Sequence, residues 1–226
     1  MIENWHNRIV KEQAMVAGPR RFRPLRMAVS RIANDVWDLR NGFDFGKIKH
    51  SPYATLGCNA TMSTDVLVLP AIFDDAMETK RMVDVGCGRG RVIRWLLNHG
   101  YKGKIVGVEI DPEIGRIAQE LFSEEDNVDI LVGDILQMLR PEWDRYYCYN
   151  PFSVHMLRRF LNAIVPLRMN NGACVAYYNP RILTLDNGDQ LFPHDYIPKP
   201  WTVKYKLTKA IPVVNVIAYF VLKPTP

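Results

Sequence analysis

From about residue 80 onward, short β-type runs alternate with helical runs, and this alternation limits the fold more than any other feature of the sequence. A first strand at "RMVDVGC" is followed by a helix at "RVIRWLLNHG", which Gly100 ends. A second strand at "GKIVGVEI" precedes the helix "PEIGRIAQELF", with Asp111 as the predicted N-cap and Pro112 as the first helical residue. Strands separated by helices pair in parallel, so the chain predicts a parallel sheet with helices on both faces.

The end of the chain departs from this pattern. The third, fourth and fifth predicted strands are "VDILVGD", "RYYCYN" and "GACVAYYN", with the helix "SVHMLRRFLNAIVPL" before the fifth. Two further β-type runs, "TVKYKLTKA" and "VVNVIAYFVLK", follow each other without a helix between them. Consecutive strands of this kind favour antiparallel pairing. We therefore expect a three-layer α/β fold whose sheet is mostly parallel and ends in an antiparallel C-terminal strand pair.

The start of the chain lacks the alternation. The run "PLRMAVSRIANDVWDLRN" predicts an amphipathic helix, and a loop-rich connector follows it. The apolar residues of the helix recur at mostly helical spacing: Leu25, Val29, Ile32 and Trp37. We expect residues 1–65 to form a helical and loop extension that packs on the core as a lid, and residues 66–226 to form the main, ligand-binding domain.

Composition and charge exclude several classes of protein. The chain has 226 residues, of which 48% are apolar and 23% charged, values that exclude disordered and collagen-like chains. The net charge is +5, and part of it comes from Arg20, Arg21, Arg23 and Arg26. This basic cluster is either a solvated helix face or a site for phosphates or an acidic partner. No run approaches the roughly 18 apolar residues of a membrane span.

The four cysteines show no CxxC pair, and three of them lie in or beside apolar strand-like runs. This pattern indicates small buried hydrophobic residues in a reducing compartment, with no zinc site. We therefore expect a cytoplasmic protein without a bound metal.

A glycine turn follows the first predicted strand in "VDVGCGRG", with glycines at Gly86, Gly88 and Gly90. Glycines let a ligand approach the backbone closely, and the helix that follows offers free N–H groups at its start. Dinucleotides and S-adenosylmethionine both use turns of this kind. The dinucleotide fingerprint is G-x-G-x-x-G, whereas the third glycine here comes one residue early. The spacing therefore favours S-adenosylmethionine.

Acidic residues lie at three consecutive strand ends: Asp84, Glu109 and Asp134. The carboxyl ends of parallel strands meet at one edge, so the three carboxylates should line one crevice. Asp84 would attract a ligand that carries a sulfonium and an ammonium group. Glu109 can accept hydrogen bonds from both ribose hydroxyls, a role that dinucleotide sites share.

These motifs, together with the terminal strand pair, resemble the class I, Rossmann-like S-adenosylmethionine-dependent methyltransferases. The resemblance covers about residues 80–180 and implies S-adenosylmethionine as the cofactor. It further implies that Asp84 holds the methionine end and that Asp134, with the residue after it, faces the adenine. The alternative for Asp134 is a helix N-cap.

The fourth strand ends in Asn150, Pro151 and Phe152, at the place where amino-group methyltransferases carry an N-P-P-Y or related motif. The second proline is missing, so the motif is more similar to the N-[NP]-F pattern of the non-SET lysine methyltransferases and their small bacterial relatives. The resemblance implies that the amide oxygen and nearby carbonyls orient a target nitrogen while the aromatic ring packs against the acceptor. The alternative is that the motif merely ends the strand and Phe152 is a core residue.

The expected function is methyl transfer to an amine nitrogen of a protein lysine or of a small molecule. Three alternatives stay open: a nucleic-acid base methyltransferase, a non-catalytic S-adenosylmethionine-binding module, and an NAD-dependent oxidoreductase, which the glycine spacing disfavours. Tyr53 and Tyr178 are further candidates for contact with the substrate, and Tyr177 and Asn179 for the lining of its pocket. The identity of the acceptor and the oligomeric state are not determined by these patterns.

Overall fold

A computed structural model describes the protein over residues 23–46, 58, 62–73, 81–178, 197–208 and 215–224. Seven strands of these residues form one sheet in the order β3-β2-β1-β4-β5-β7-β6. The strands are β1 (Arg81–Val85), β2 (Lys104–Glu109), β3 (Val128–Val132), β4 (Arg145–Tyr149), β5 (Ala173–Tyr178), β6 (Trp201–Thr208) and β7 (Asn215–Leu222). The helices are α1 (Arg23–Arg40), α2 (Leu69–Ile72), α3 (Arg91–Asn98), α4 (Pro112–Leu121), α5 (Ile135–Met138) and α6 (Val154–Arg168).

The pairing of the strands confirms the predicted fold class. Strands β1 to β5 pair in parallel, whereas β7 runs antiparallel to both β5 and β6. Strand β7 lies between β5 and β6, so the last strand in sequence is not the edge strand. The insertion gives β7 two hydrogen-bonded neighbours, and this explains why "VVNVIAYFVLK" is almost entirely apolar.

Both faces of the sheet are covered, because alternate residues of a strand point to opposite sides. On one face Val83 and Val85 of β1 belong to a buried cluster that includes Phe160 of α6. On the other face Met82 belongs to a second cluster with Ile93 of α3. Each fully buried side chain of this size contributes about 1.5–3 kcal/mol of hydrophobic free energy. The two clusters make the three-layer arrangement that the alternation predicts.

Local capping chemistry sets where two helices begin. The Asp111 carboxylate accepts hydrogen bonds from the N–H groups of Glu113 and Ile114 at 3.0 and 3.3 Å, as predicted for the N-cap of α4. The Ser153 hydroxyl accepts one from the Met156 N–H at 3.4 Å at the start of α6. Both caps place the preceding strand end at the same edge of the sheet.

Helix α1 forms where the sequence predicts it, and most of the apolar residues that define its amphipathic pattern are exposed. Leu25, Val29 and Ile32 are 63%, 44% and 61% exposed, and of the four apolar residues Trp37 packs beside the core. The domain instead covers polar side chains of α1, because a buried arginine on α3 needs their oxygens as acceptors. The division at residues 65 and 66 stays a prediction.

None of the helices in the described ranges is long and apolar enough to cross a bilayer.

Candidate active site

The candidate site lies at the carboxyl edge of the sheet, where β1 and β4 are neighbours. The chain continues from β1 to β2 on one side and from β4 to β5 on the other, so the strand order reverses between them. Open α/β sheets bind ligands outside the carboxyl ends of their strands at such a point. The glycine turn after β1 and Asn150 after β4 therefore flank the crevice.

The glycine turn has no room for side chains. Gly90 has a φ of 84°, and a Cβ placed there would lie 2.3 Å from the ring of Phe122. Gly86 has a φ of 72°, and its Cβ would lie 3.3 Å from the Cβ of Pro151. The turn thus depends on glycine for both backbone conformation and space, and it packs directly against the Asn-Pro-Phe motif.

Glu109 holds the glycine turn in place. Its Oε2 accepts a hydrogen bond from the Gly88 N–H at 2.9 Å, and its Oε1 accepts one from the Asp111 N–H at 3.0 Å. Burial raises the pKa of this carboxyl, and the two N–H donors oppose the rise. Each carboxylate oxygen has two lone pairs, so both can accept a further hydrogen bond from a hydroxyl group. This arrangement fits the predicted ribose contact.

Asp84 is buried and incompletely satisfied. Its side chain is 3% exposed, and its Oδ2 has no hydrogen-bond partner among the described residues. Burial raises the pKa of Asp84 to about 8, and the nearby Glu109 carboxylate contributes to the rise. A buried acceptor without a donor costs free energy, which a cationic ligand would recover. The site therefore fits the ammonium group of S-adenosylmethionine on chemical grounds.

Asp134 is the N-cap of α5, the alternative that the sequence left open. Its Oδ1 accepts a hydrogen bond from the Leu136 N–H at 2.9 Å. Burial raises the pKa of the Cys58 thiol, and the carboxylates of Asp134 and Glu109 raise it further. These two carboxylates thus share one electrostatic environment at the crevice. A contact between Asp134 and the adenine stays a prediction, because the cap uses one of its two oxygens.

Asn150 is held in an unusual backbone conformation. Its φ is 43°, a left-handed value that is uncommon for a residue with a side chain. The Tyr177 hydroxyl lies 3.3 Å from Asn150 Oδ1 and 3.3 Å from the Phe152 carbonyl, and it accepts a hydrogen bond from the Phe152 N–H at 3.4 Å. One tyrosine side chain on β5 therefore ties the whole motif together.

The Phe152 ring is a core side chain, as in the second interpretation of the motif. It is 4% exposed and lies 5.4 Å from the Phe160 ring, centroid to centroid. The ring packs against the apolar side of α6, and its packing against an acceptor stays a prediction. The main chain of Phe152 contacts Tyr177 and forms an isolated antiparallel bridge with Cys58.

The segment before β1 reaches the site from the N-terminal side. The Thr64 hydroxyl lies 2.7 Å from the Tyr147 hydroxyl in a buried hydrogen bond. Arg91, directly after Gly90, donates to the Thr64 carbonyl at 3.3 Å and to the Asp38 carboxylate at 3.1 and 2.5 Å. The role of Arg91 as an anchor was not predicted. The available signal was an arginine at the first position of the helix "RVIRWLL", directly after the glycine turn.

The remaining sequence candidates are Tyr178 and residues outside the described ranges. Tyr178, the last residue of β5, is buried and packs on Tyr149 at 5.0 Å, centroid to centroid, and its contact with a substrate stays a prediction. Tyr53, Asn179 and two residues of the basic cluster, Arg20 and Arg21, lie outside the described residues. All four cysteines are free thiols. The described part of the chain holds no group of three or more His, Cys, Asp or Glu side chains that could hold a metal ion.

Comparisons with known proteins agree with this geometry. A family model described as a methyltransferase domain matches residues 82–171. A probable ribosomal RNA small subunit methyltransferase A from Methanococcoides burtonii is 26% identical over 88 residues, which cover 38% of this chain and 32% of that protein. The chain thus spans between a quarter and a third of the length of the curated relatives it matches.

Solved structures share the fold. The cofactor-bound Rv0187 from MTB aligns with a TM-score of 0.52 and 15% identity, covering 88% of this chain and 90% of that one. Human N-acetylserotonin methyltransferase in complex with S-adenosylmethionine aligns with a TM-score of 0.50 and 20% identity, covering 70% and 51%. The family match covers the glycine turn, Glu109 and the Asn-Pro-Phe motif. Residues 82–171 therefore match a methyltransferase domain, and the sheet that carries them has the fold of a solved methyltransferase in complex with S-adenosylmethionine.

Proposed function

We propose that this chain transfers a methyl group from S-adenosylmethionine to an amine nitrogen held at Asn150. The observation that carries the proposal is the fixed amide at the carboxyl end of β4, whose Oδ1 lies 3.3 Å from the Tyr177 hydroxyl. An amide oxygen has two lone pairs, so Asn150 can bond Tyr177 and still accept a hydrogen from a target nitrogen. Accepting that hydrogen orients the lone pair of the nitrogen.

The residues of the chain divide the work between two sides of the crevice. S-adenosylmethionine, when bound, supplies a methyl group on a sulfonium, which needs no further activation. Asp84 and Glu109 would hold its ammonium group and ribose, and the glycine turn would admit it to the backbone. Gly86 and Pro151 lie close together, since a Cβ built on Gly86 would be 3.3 Å from the Pro151 Cβ, and this places the glycine turn next to Asn150. The proximity of cofactor and acceptor is the main catalytic contribution that this arrangement offers.

The acceptor that the Asn-Pro-Phe motif predicts is an amine of a protein lysine or of a small molecule. A second candidate, the exocyclic amine of a nucleic-acid base, is favoured by the names of the relatives, which are probable ribosomal RNA methyltransferases. Both candidates present N–H donors to Asn150. The four free thiols support a reducing, cytoplasmic location for either acceptor.

A labelling experiment separates these acceptors. The purified full chain is incubated with methyl-labelled S-adenosylmethionine and, in separate reactions, RNA-free protein, total RNA or a set of small amines. Mass spectrometry of the digested products then locates the label. Label on nitrogen supports the proposal, and label on oxygen or carbon contradicts it. If the chain binds S-adenosylhomocysteine but methylates none of these acceptors, the result would indicate a non-catalytic binding module.

The variant Asn150→Ala tests the role of the amide. We expect kcat to fall on the order of a hundredfold while the affinity for S-adenosylhomocysteine changes little, because the misplaced acceptor costs rate and not cofactor binding. Asn171→Ala, in an exposed turn after α6, is the matched control and should leave both quantities unchanged. Full turnover in Asn150→Ala would remove the main support for an amine acceptor.

A further inference from the structure

Helix α1 packs on the domain through polar side chains. Asn34 Oδ1 accepts a hydrogen bond from the Val66 N–H at 3.0 Å, and Asp38 forms a buried ion pair with Arg91 at 2.5 Å. The Ser30 hydroxyl donates to the Asp65 carboxylate. A helix on the surface of a domain ordinarily buries its apolar side. Here the side that the domain covers carries the polar residues Ser30, Asn34 and Asp38 beside the apolar Ala33 and Trp37.

The opposite side of α1 carries a row of five apolar residues, the α1 stripe: Leu25, Val29, Ile32, Val36 and Leu39. Their exposed fractions run from 42% at Val36 to 80% at Leu39. Their spacing alternates between four and three residues, which is the a/d repeat of a coiled coil, and Ser30, Asn34 and Asp38 lie outside it. Contiguous exposed apolar surface of this kind marks an interaction site.

We propose that the α1 stripe is the interface of a parallel homodimer, in which α1 pairs in register with α1 of a second copy of this chain. The stripe has Val29 and Val36 at the a positions and Leu25 and Leu39 at two of its d positions. In parallel coiled coils, β-branched residues at a with leucine at d favour two strands. A second copy of the chain presents the same a and d side chains in the same register, so it fits the stripe.

Charge complementarity between the two copies of α1 favours the parallel orientation. In this register Asp35 occupies a g position and Arg40 occupies the e position five residues later. In a parallel pair a g residue faces the following e residue of the other helix, so Asp35 of each copy meets Arg40 of the other. Within the described part of the chain neither side chain forms an ion pair. An antiparallel pair would lose both contacts.

The length of α1 is sufficient because the helix is already held by the domain. Its 18 residues correspond to about 27 Å, or two and a half heptads, which is short for an isolated coiled coil. The buried pair of Asp38 and Arg91 fixes the helix before a second copy binds. Association therefore does not have to supply the free energy of helix formation, which lowers its cost.

Sedimentation equilibrium of the full chain over a range of concentrations tests the proposal. We expect a monomer–dimer equilibrium for the parent protein and a dissociation constant at least about a hundredfold higher for Ile32→Lys, since two isoleucines leave the interface. Met169→Lys is the matched control, because Met169 is also an exposed apolar residue at 41% and lies outside the stripe. It should leave the equilibrium unchanged. Circular dichroism should show both variants folded.

Cysteine cross-linking and charge exchange test the orientation. Parallel, in-register pairing places each a residue opposite itself, so Val36→Cys should form a covalent dimer on oxidation and Arg31→Cys should not. Asp35→Arg should weaken the dimer a few-fold. The double variant Asp35→Arg with Arg40→Asp should restore the affinity, because the charges are exchanged and still opposite.

Three results would overturn the proposal. The first is a parent protein that is monomeric at every concentration, and the second is a dimer whose stability Ile32→Lys does not change. The third is a monomer whose α1 amides exchange hydrogen slowly, a result that would assign the stripe to residues 1–22 of the same chain.

Discussion

The two sides of the crevice are built from contacts of different reach. On the β1–β2 side, Glu109 bonds the Gly88 and Asp111 N–H groups, and both partners lie within one βαβ unit. On the β4–β5 side, Asn150 depends on a tyrosine of the next strand and Phe152 on a bridge to Cys58, far away in sequence. The β1–β2 side, which is proposed to hold the cofactor and is called the cofactor side, is therefore local and recognisable in the sequence. The β4–β5 side, which is proposed to hold the acceptor and is called the acceptor side, is assembled by tertiary packing. This difference explains why the sequence motif on the cofactor side is more specific than the motif on the acceptor side.

The largest expected effect concerns space on the cofactor side. Gly90→Ala places a Cβ 2.3 Å from Phe122 at a φ of 84°, so the free energy of unfolding should fall by about 2–5 kcal/mol, with loss of cofactor binding. Gly100→Ala is the control, because its φ is 81° and nothing lies within 4 Å of its Cβ. For Gly100→Ala, urea denaturation should show a loss of only about 1–2 kcal/mol in the free energy of unfolding, which comes from backbone strain alone. Equal losses in the two variants would contradict a steric role for Gly90.

The next effect concerns charge on the same side. Glu109→Ala should weaken the binding of S-adenosylhomocysteine at least about tenfold, because hydroxyl donors would be desolvated without a charged acceptor. Isothermal titration calorimetry measures the change, and Asp129→Ala on the exposed side of β3 serves as the control. Unchanged affinity in a folded Glu109→Ala protein would disprove the ribose contact.

The raised pKa of Asp84 predicts a pH dependence of binding. With a pKa of about 8 the carboxyl is protonated at neutral pH, and a cationic ligand favours its ionised form, so binding releases a proton. The affinity for S-adenosylhomocysteine should therefore rise with pH, by up to about tenfold between pH 6 and pH 7. Calorimetry in buffers of different ionisation enthalpy should detect the released proton. The affinity of Asp84→Asn for S-adenosylhomocysteine should not depend on pH in this way. If the same pH dependence persists in this variant, the released proton comes from another group.

The smallest expected effect lies on the acceptor side. Tyr177→Phe removes the hydroxyl that contacts Asn150 and Phe152, a change worth about 1 kcal/mol, so kcat should fall by about fivefold. The affinity for S-adenosylhomocysteine should stay the same, since Tyr177 contacts the acceptor motif. Tyr219→Phe on β7 is the control. An equal loss of cofactor affinity would show that the two sides are not separable.

Much of the cofactor side was predictable because its signals are short in sequence. The strand, the glycine turn and the cap at Asp111 are written in neighbouring residues, and the structure places them as predicted. The outcome for Asp134 shows the limit of this reasoning, because one Asp after a strand fits both a helix cap and an adenine contact. The choice between them depends on a ligand that local sequence does not contain.

The sequence alone determined the parallel sheet, its antiparallel end, and the sheet edge at which the candidate ligand-binding side chains meet. It could do so because hydrophobic periodicity, glycine conformation and helix caps each depend on a few neighbouring residues. The tertiary structure decided which face of α1 is buried, where the Phe152 ring lies, and how Asn150 is held. Arg91 lies 53 residues from Asp38, and Tyr177 lies 27 residues from Asn150. A buried charge or hydroxyl must find a partner wherever the fold provides one, and that requirement overrode the apolar pattern of α1.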